Sequence, residues 1–140
     1  MNILIDTHIA LWSLYEDKKL SKKAKGLLLD SNNTIYYSLA SAWEVEIKHS
    51  IGKLSVPADA FIEDCDSIGF LPLSIKKEHI LGLKDLPLLP DGHKDPFDRL
   101  LLTQARSERM AFLTLDKKIL AYGEKQVSSI TPLLLLQRTF

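Results

Sequence analysis

Ile3, Leu4 and Ile5 run without a polar break into Asp6, and the pattern returns late in the chain, where Ala111, Phe112, Leu113, Thr114 and Leu115 run into Asp116. A short strand that is apolar on both faces has to be covered on both faces, as in parallel sheets. The segments between these runs alternate in kind. Asp6 or Thr7 caps a helix expected over 7–15. Further helices are expected over 21–30, 40–51, 58–68, 75–83 and 95–108, with Gly52 closing the third and Pro96 opening the last. Strands are expected over 34–38 and 70–73, and a final one over 126–130. Residues 85–94 carry two prolines and Gly92 and read as a loop, and a short helix should follow Asp116. In the helix over 40–51, Ala40, Trp43, Ile47 and Ile51 recur at helical spacing. Strands alternating with helices predict an α/β fold, a mostly parallel sheet with helices on both faces.

At 140 residues the chain suits one domain, 1–140, with no repeat or linker to divide it. Lys plus Arg is 18 and Asp plus Glu is 18, so binding through bulk positive charge is excluded, although a local basic patch is not. Cys65 is the only cysteine, so no intramolecular disulfide forms. No apolar run approaches the ~20 residues of a membrane span, and the N-terminus lacks the basic region of a signal peptide. These features read as a soluble, cytoplasmic protein with no membrane partner.

Ligands of open parallel sheets bind outside the carboxyl ends of the strands, so the residues leaving each strand carry the argument. Asp6 and Asp116 end strands; Glu44 and Asp98 lie in the first turns of helices. Each acid alone is explained by capping, by the helix dipole or, for Glu44, by an i,i+4 pair with Lys48. Asp95, directly before Pro96, is placed as an N-cap. Together the acids are harder to dismiss, because carboxylates crowded on one edge repel by ~4 kcal/mol per close pair at an effective dielectric of ~20. Such a cluster needs raised pKa values or a cation, and oxygen ligands suit Mg²⁺ or Mn²⁺ better than zinc. Four acids around one or two such ions form a nuclease-type arrangement, able to activate water and to stabilise charge on a phosphate. Thr7 and Thr114 stand beside the strand ends, where their hydroxyls hold a water or simply cap.

The segments Leu4-Ile5-Asp6-Thr7-His8, Ser38-Leu39-Ala40-Ser41-Ala42-Trp43-Glu44-Val45-Glu46-Ile47-Lys48, His93-Lys94-Asp95-Pro96-Phe97-Asp98-Arg99-Leu100-Leu101 and Leu113-Thr114-Leu115-Asp116 resemble the PIN-domain ribonucleases, most closely the VapC toxins of type II toxin–antitoxin pairs. The resemblance runs from residue 2 to about 131. It implies a three-layer α/β/α sandwich and a metal-dependent endoribonuclease. Its acids map onto Asp6, Glu44, Asp98 and Asp116, with Asp95 and Arg99 in the subgroup's motif. It also implies a cognate antitoxin, a homodimer and an RNA substrate of the tRNA or rRNA class.

Other features take plainer readings. Lys18, Lys19, Lys22, Lys23 and Lys25 form a solvated helix face, with an RNA-phosphate contact as the alternative. Arg99 suits a phosphate or a carboxylate. His8, His49, His79 and His93 lack metal-ligand spacing and read as structural or surface residues. Cys65 reads as a small buried hydrophobe. Trp12, Tyr15, Leu11 and Leu14 pack a core or a protein partner. The apolar tail from Leu133 wants a partner surface or packs back. Two functions compete with the nuclease: phosphoryl transfer through an aspartyl nucleophile at Asp6, which lacks a second acid at position 8, and a non-catalytic module binding metal with RNA or a protein partner. A receiver-like domain leaves Trp43-Glu44 and Asp95-Pro96-Phe97-Asp98 without a role.

Overall fold

Ile3, Leu4 and Ile5 are fully buried, and the strand that carries them, β1 (Asn2–Ile5), is the middle strand of a five-stranded sheet. The computed structural model describes residues 1–86, 95–116, 119 and 133–135. The other strands are β2 (Thr34–Ser38), β3 (Leu71–Leu73), β4 (Ala111–Thr114) and β5 (Leu133–Leu135). Their order is β3-β2-β1-β4-β5, and every pairing is parallel.

The strand period of two sorts the apolar residues onto two faces. Ile3, Ile5, Ile35, Tyr37, Ala111 and Leu113 pack on one side with Ile9 and Ala10 of α1 (Thr7–Tyr15), Ala24 of α2 (Lys22–Leu29) and Phe61 and Cys65 of α4 (Ala58–Ser67). Leu4 and Phe112 point the other way, against Leu101, Leu102 and Ala105 of α6 (Pro96–Ser107). Between these helices in sequence come α3 (Leu39–Ser50) and the short α5 (Lys77–Gly82). The result is a three-layer α/β/α sandwich. Burying each large side chain contributes about 1.5–3 kcal/mol. Cys65 is wholly buried, as its reading as a hydrophobe requires, and burial pushes its thiol up to about 12. Among the described residues no helix is long and apolar enough to cross a membrane.

Two expectations need correction. The helix expected over 75–83 is shorter and tightens into a 3₁₀ turn at Leu83–Asp85. Leu133–Leu135, read as part of an apolar tail, pairs with β4 as the outermost strand. The strand expected over 126–130 lies outside the described residues, as do 87–94 of the expected loop, His93 among them, and all of the helix expected after Asp116 except buried Ile119. The helix expected over 40–51 is present as α3, with Trp43 (57% exposed), Ile47 and Ile51 on its outer face and Ala40, Ser41, Ala42, Glu44 and Val45 buried. Gly52 closes this helix with φ +78°, a left-handed turn that glycine takes without strain.

The strand order sets the place of any site. β2 and β3 lie on one side of β1, and β4 and β5 on the other. The chain therefore switches direction between β1 and β4, the point where parallel sheets open a crevice at their carboxyl ends. Asp6 stands on its lip, its backbone N–H donating to the Leu113 carbonyl at 3.2 Å.

Candidate active site

Asp6 leaves β1 and caps α1, its Oδ1 accepting from the Ile9 N–H at 2.7 Å. Its Oδ2 accepts from the Thr114 hydroxyl, and Thr114 Oγ1 accepts in turn from the Asp116 N–H at 3.0 Å. Thr114 thus ties the end of β1 to the end of β4. Asp6 is 3% exposed. Burial pushes its carboxyl up to about 6, against the hydrogen bonds from Thr114 and Ile9, and Asp116 adds repulsion.

Glu44 reaches the same edge from α3 and is also buried. Its Oε1 lies 2.7 Å from Thr7 Oγ1, and its Oε2 accepts from Lys48 Nζ at 2.9 Å. Thr7 Oγ1 lies 2.8 Å from Ser41 Oγ as well. The single Thr7 proton goes to the carboxylate, the stronger acceptor, which leaves Ser41 as donor to Thr7. Thr7 and Thr114, expected to hold a water or to cap, each hold a carboxylate.

Asp95 is the N-cap of α6, its Oδ1 accepting from the Phe97 and Asp98 N–H groups at 2.9 and 3.0 Å, with Pro96 in the first turn. Asp98 follows in that turn, and its carboxyl is pushed up to about 8. Burial is the largest cause, followed by repulsion from Asp95, Asp116, Asp6 and Glu44. All the acids picked from the sequence therefore act on one carboxyl. Arg99 Nη2 donates to the Leu86 carbonyl at 3.0 Å. Phe97 meets Trp43 edge to face, with centroids 5.1 Å apart, bracing α6 against α3 beside Asp98 and Glu44.

These residues fit a divalent cation in donor type and charge: they are hard oxygens crowded enough to hold protons above the usual carboxylate range. The fit stops short of a formed cage. Among the described residues no three His, Cys, Asp or Glu side chains are placed to share an ion as they stand. Glu44 is turned to Thr7 and Lys48, and Asp6 to Ile9 and Thr114.

Sequence reasoning left Ser41 out, although it stands one turn before Glu44 on the buried face of α3. It also set aside His8, which lies beside Trp12 (ring centroids 5.6 Å apart) and close enough to Asp6 to oppose the rise of its pKa. The spacing of His8 and Trp12, i and i+4 directly after a candidate ligand, was the available signal. His79, by contrast, is wholly buried between Lys76, Gln104 and Glu108, a structural histidine as expected.

The PIN domain family model matches residues 3–125. No curated protein matches the chain. Among solved structures, the crystal structure of VapBC2 from Rickettsia felis bound to a DNA fragment from their promoter shares the fold, with TM-score 0.66, 19% sequence identity and 98% of each chain covered.

Proposed function

Because this chain belongs to the PIN domain family, we propose that it is a metal-dependent endoribonuclease, the toxin of a toxin–antitoxin pair, formed as one PIN domain over 1–140 and acting in the cytoplasm. The observation that carries the reading is the convergence of Asp6, Glu44, Asp95 and Asp116 on Asp98 at one sheet edge, close enough that each pushes its carboxyl up. Carboxylates crowded in this way repel one another, and a bound cation relieves that repulsion.

In this reading Asp6, Glu44, Asp98 and Asp116 hold Mg²⁺ or Mn²⁺, directly or through water. Once bound, the ion supplies Lewis acidity for activating water and for stabilising charge on the phosphate. Thr114 aims Asp6, and the Ser41–Thr7 pair aims Glu44. Lys48 neutralises Glu44 in the metal-free protein and competes for it. Asp95 fixes the first turn of α6 and so the place of Asp98. Arg99 holds the Leu86 backbone beside the site. A cognate antitoxin and a homodimer complete the reading. The exposed stripe of Trp43, Ile47 and Ile51 on α3 is a surface that a protein partner would bury.

The test is cleavage of total cellular RNA, tRNA and rRNA included, by purified antitoxin-free protein with Mg²⁺, Mn²⁺ or EDTA, beside Asp98→Asn. Discrete fragments that require metal and Asp98 support the reading. Intact RNA in every lane from folded protein overturns it in favour of a non-catalytic binding module.

A further inference from the structure

A cavity of about 200 Å³ opens beside the carboxylates, lined by Asp6, His8, Trp12, Leu115 and Asp116. That is room for several waters at about 30 Å³ each, or for one heterocyclic base. Its wall is aromatic. His8 and Trp12 stand one turn apart on α1, with ring centroids 5.6 Å apart and planes tilted by 39°. A base sandwiched between two rings needs about 7 Å, twice the ~3.5 Å contact distance, so the rings form one surface rather than two jaws. Leu115 adds an apolar side, and Asp6 and Asp116 form the charged end.

The carboxylates repel a phosphate and leave the aromatic wall to take the uncharged part of a nucleotide. Stacking on Trp and His is the usual way proteins hold an unpaired RNA base. We propose that Trp12 and His8 form a nucleobase subsite, which seats one splayed-out base of single-stranded RNA next to the acids and so selects the nucleotide beside the scissile bond. The inference rests on the ribonuclease reading above. It assigns a recognition role to two residues whose plain readings are core packing and surface.

The experiment uses the full chain. Fluorescein-labelled A₆, C₆, G₆ and U₆ RNA are titrated in Mg²⁺ by anisotropy, in an Asp98→Asn background that spares the probes. Trp12→Leu keeps apolar bulk and loses the ring face, Trp12→Phe keeps a ring, and His8→Gln keeps polarity. At least one hexamer should bind, Trp12→Leu should weaken it about ten- to a hundredfold, and Trp12→Phe should stay within about threefold, with His8→Gln between them. In the cleavage-competent chain, Trp12→Leu should flatten the base preference at one position flanking the cuts in total RNA. Unchanged affinity and preference in Trp12→Leu overturn the subsite while leaving the nuclease standing. A parallel fall of affinity and Tm in the Leu and Phe variants makes Trp12 a packing residue and also overturns it. No binding of any hexamer and no cut in total RNA remove the nuclease reading, and the subsite with it.

Discussion

Replacing Asp6 with Asn should stabilise the metal-free protein at neutral pH, an unusual outcome for a buried polar residue. The carboxyl titrates at about 6 in the fold against an ordinary 3.8. The difference of roughly two units is worth about 3 kcal/mol at 1.36 kcal/mol per unit. Because the folded state holds this proton more tightly than the unfolded chain, the stabilisation is complete below pH ~4 and is lost as pH rises through about 6. Asn removes the titration and keeps the cap, since Asn and Asp are equivalent N-caps and Oδ1 can still accept from Ile9. Thr114 must turn from donor to acceptor, at about 1 kcal/mol. The net gain is about 2 kcal/mol at pH 7.5, or roughly 6 °C in Tm for a chain of this size. Thermal unfolding of both proteins from pH 4 to pH 8 in EDTA measures it. Wild-type Tm should fall across that window, and the Asp6→Asn curve should be flatter and cross above it. With Mg²⁺ or Mn²⁺ at 100 times its Kd, wild type alone should recover about 2.7 kcal/mol. A wild-type Tm in EDTA that is level or rising from pH 4 to pH 7.5, with Asp6→Asn lower at every pH, would refute the electrostatic reasoning.

Asp98→Asn should cut RNA cleavage on the order of a hundredfold or more. In EDTA it should also flatten the loss of stability between pH ~4 and pH 8, because this raised carboxyl obeys the same linkage. Thr7→Val removes the hydroxyl from Glu44 Oε1 and should weaken Mn²⁺ binding by about ten- to a hundredfold, read by calorimetry. Gly52→Ala meets no neighbour within 4 Å but keeps φ +78°. It should cost about 1 kcal/mol, or a few degrees of Tm, and leave Mn²⁺ affinity unchanged.

The parts of the fold that were legible in the sequence are those where local and global demands coincide. Asp6 before Thr7 and Asp95 before Pro96 each mark a helix start, and each accepts from a backbone N–H of the first turn; Ser21, read as the first residue of its helix, is instead its cap. The apolar runs Ile3–Ile5 in β1 and Ala111–Leu113 in β4 told of a sheet covered on both faces, and the two core clusters cover it. The outermost strand was not legible. Leu133–Leu135 has the composition of any apolar tail, and its strand character comes from pairing with β4, a contact across some twenty residues of sequence. The bounds of α5 were missed as well: it begins at Lys77 and passes into a 3₁₀ turn at Leu83, and its N-cap is Lys76, not one of the residues that ordinarily mark a helix start.

The reading of α3 shows what decides legibility at the site itself. Apolar stripes ordinarily mark the core, and Trp43, Ile47 and Ile51 form such a stripe on α3, yet all three lie outside. The chain turns the other face inward. Ser41 and Glu44 are buried since Thr7 supplies partners for both, and Lys48, on the same helix, balances the charge. An unpaired buried carboxylate costs far more than an exposed Ile gains by burial, so this arrangement is tolerable only while those partners, or a cation in their place, are present. The sequence pattern of α3 therefore reports two pressures at once, a polar face committed to the carboxylate cluster and an apolar face left outside. Glu44→Gln offers the direct check. It removes the charge that Lys48 neutralises, keeps a carbonyl to accept from Thr7, and should leave Tm in EDTA within a few degrees of wild type while lowering Mn²⁺ affinity at least tenfold. If Glu44 is buried only to anchor Lys48 and cap the fold, the same change would lower Tm and leave Mn²⁺ binding where it was.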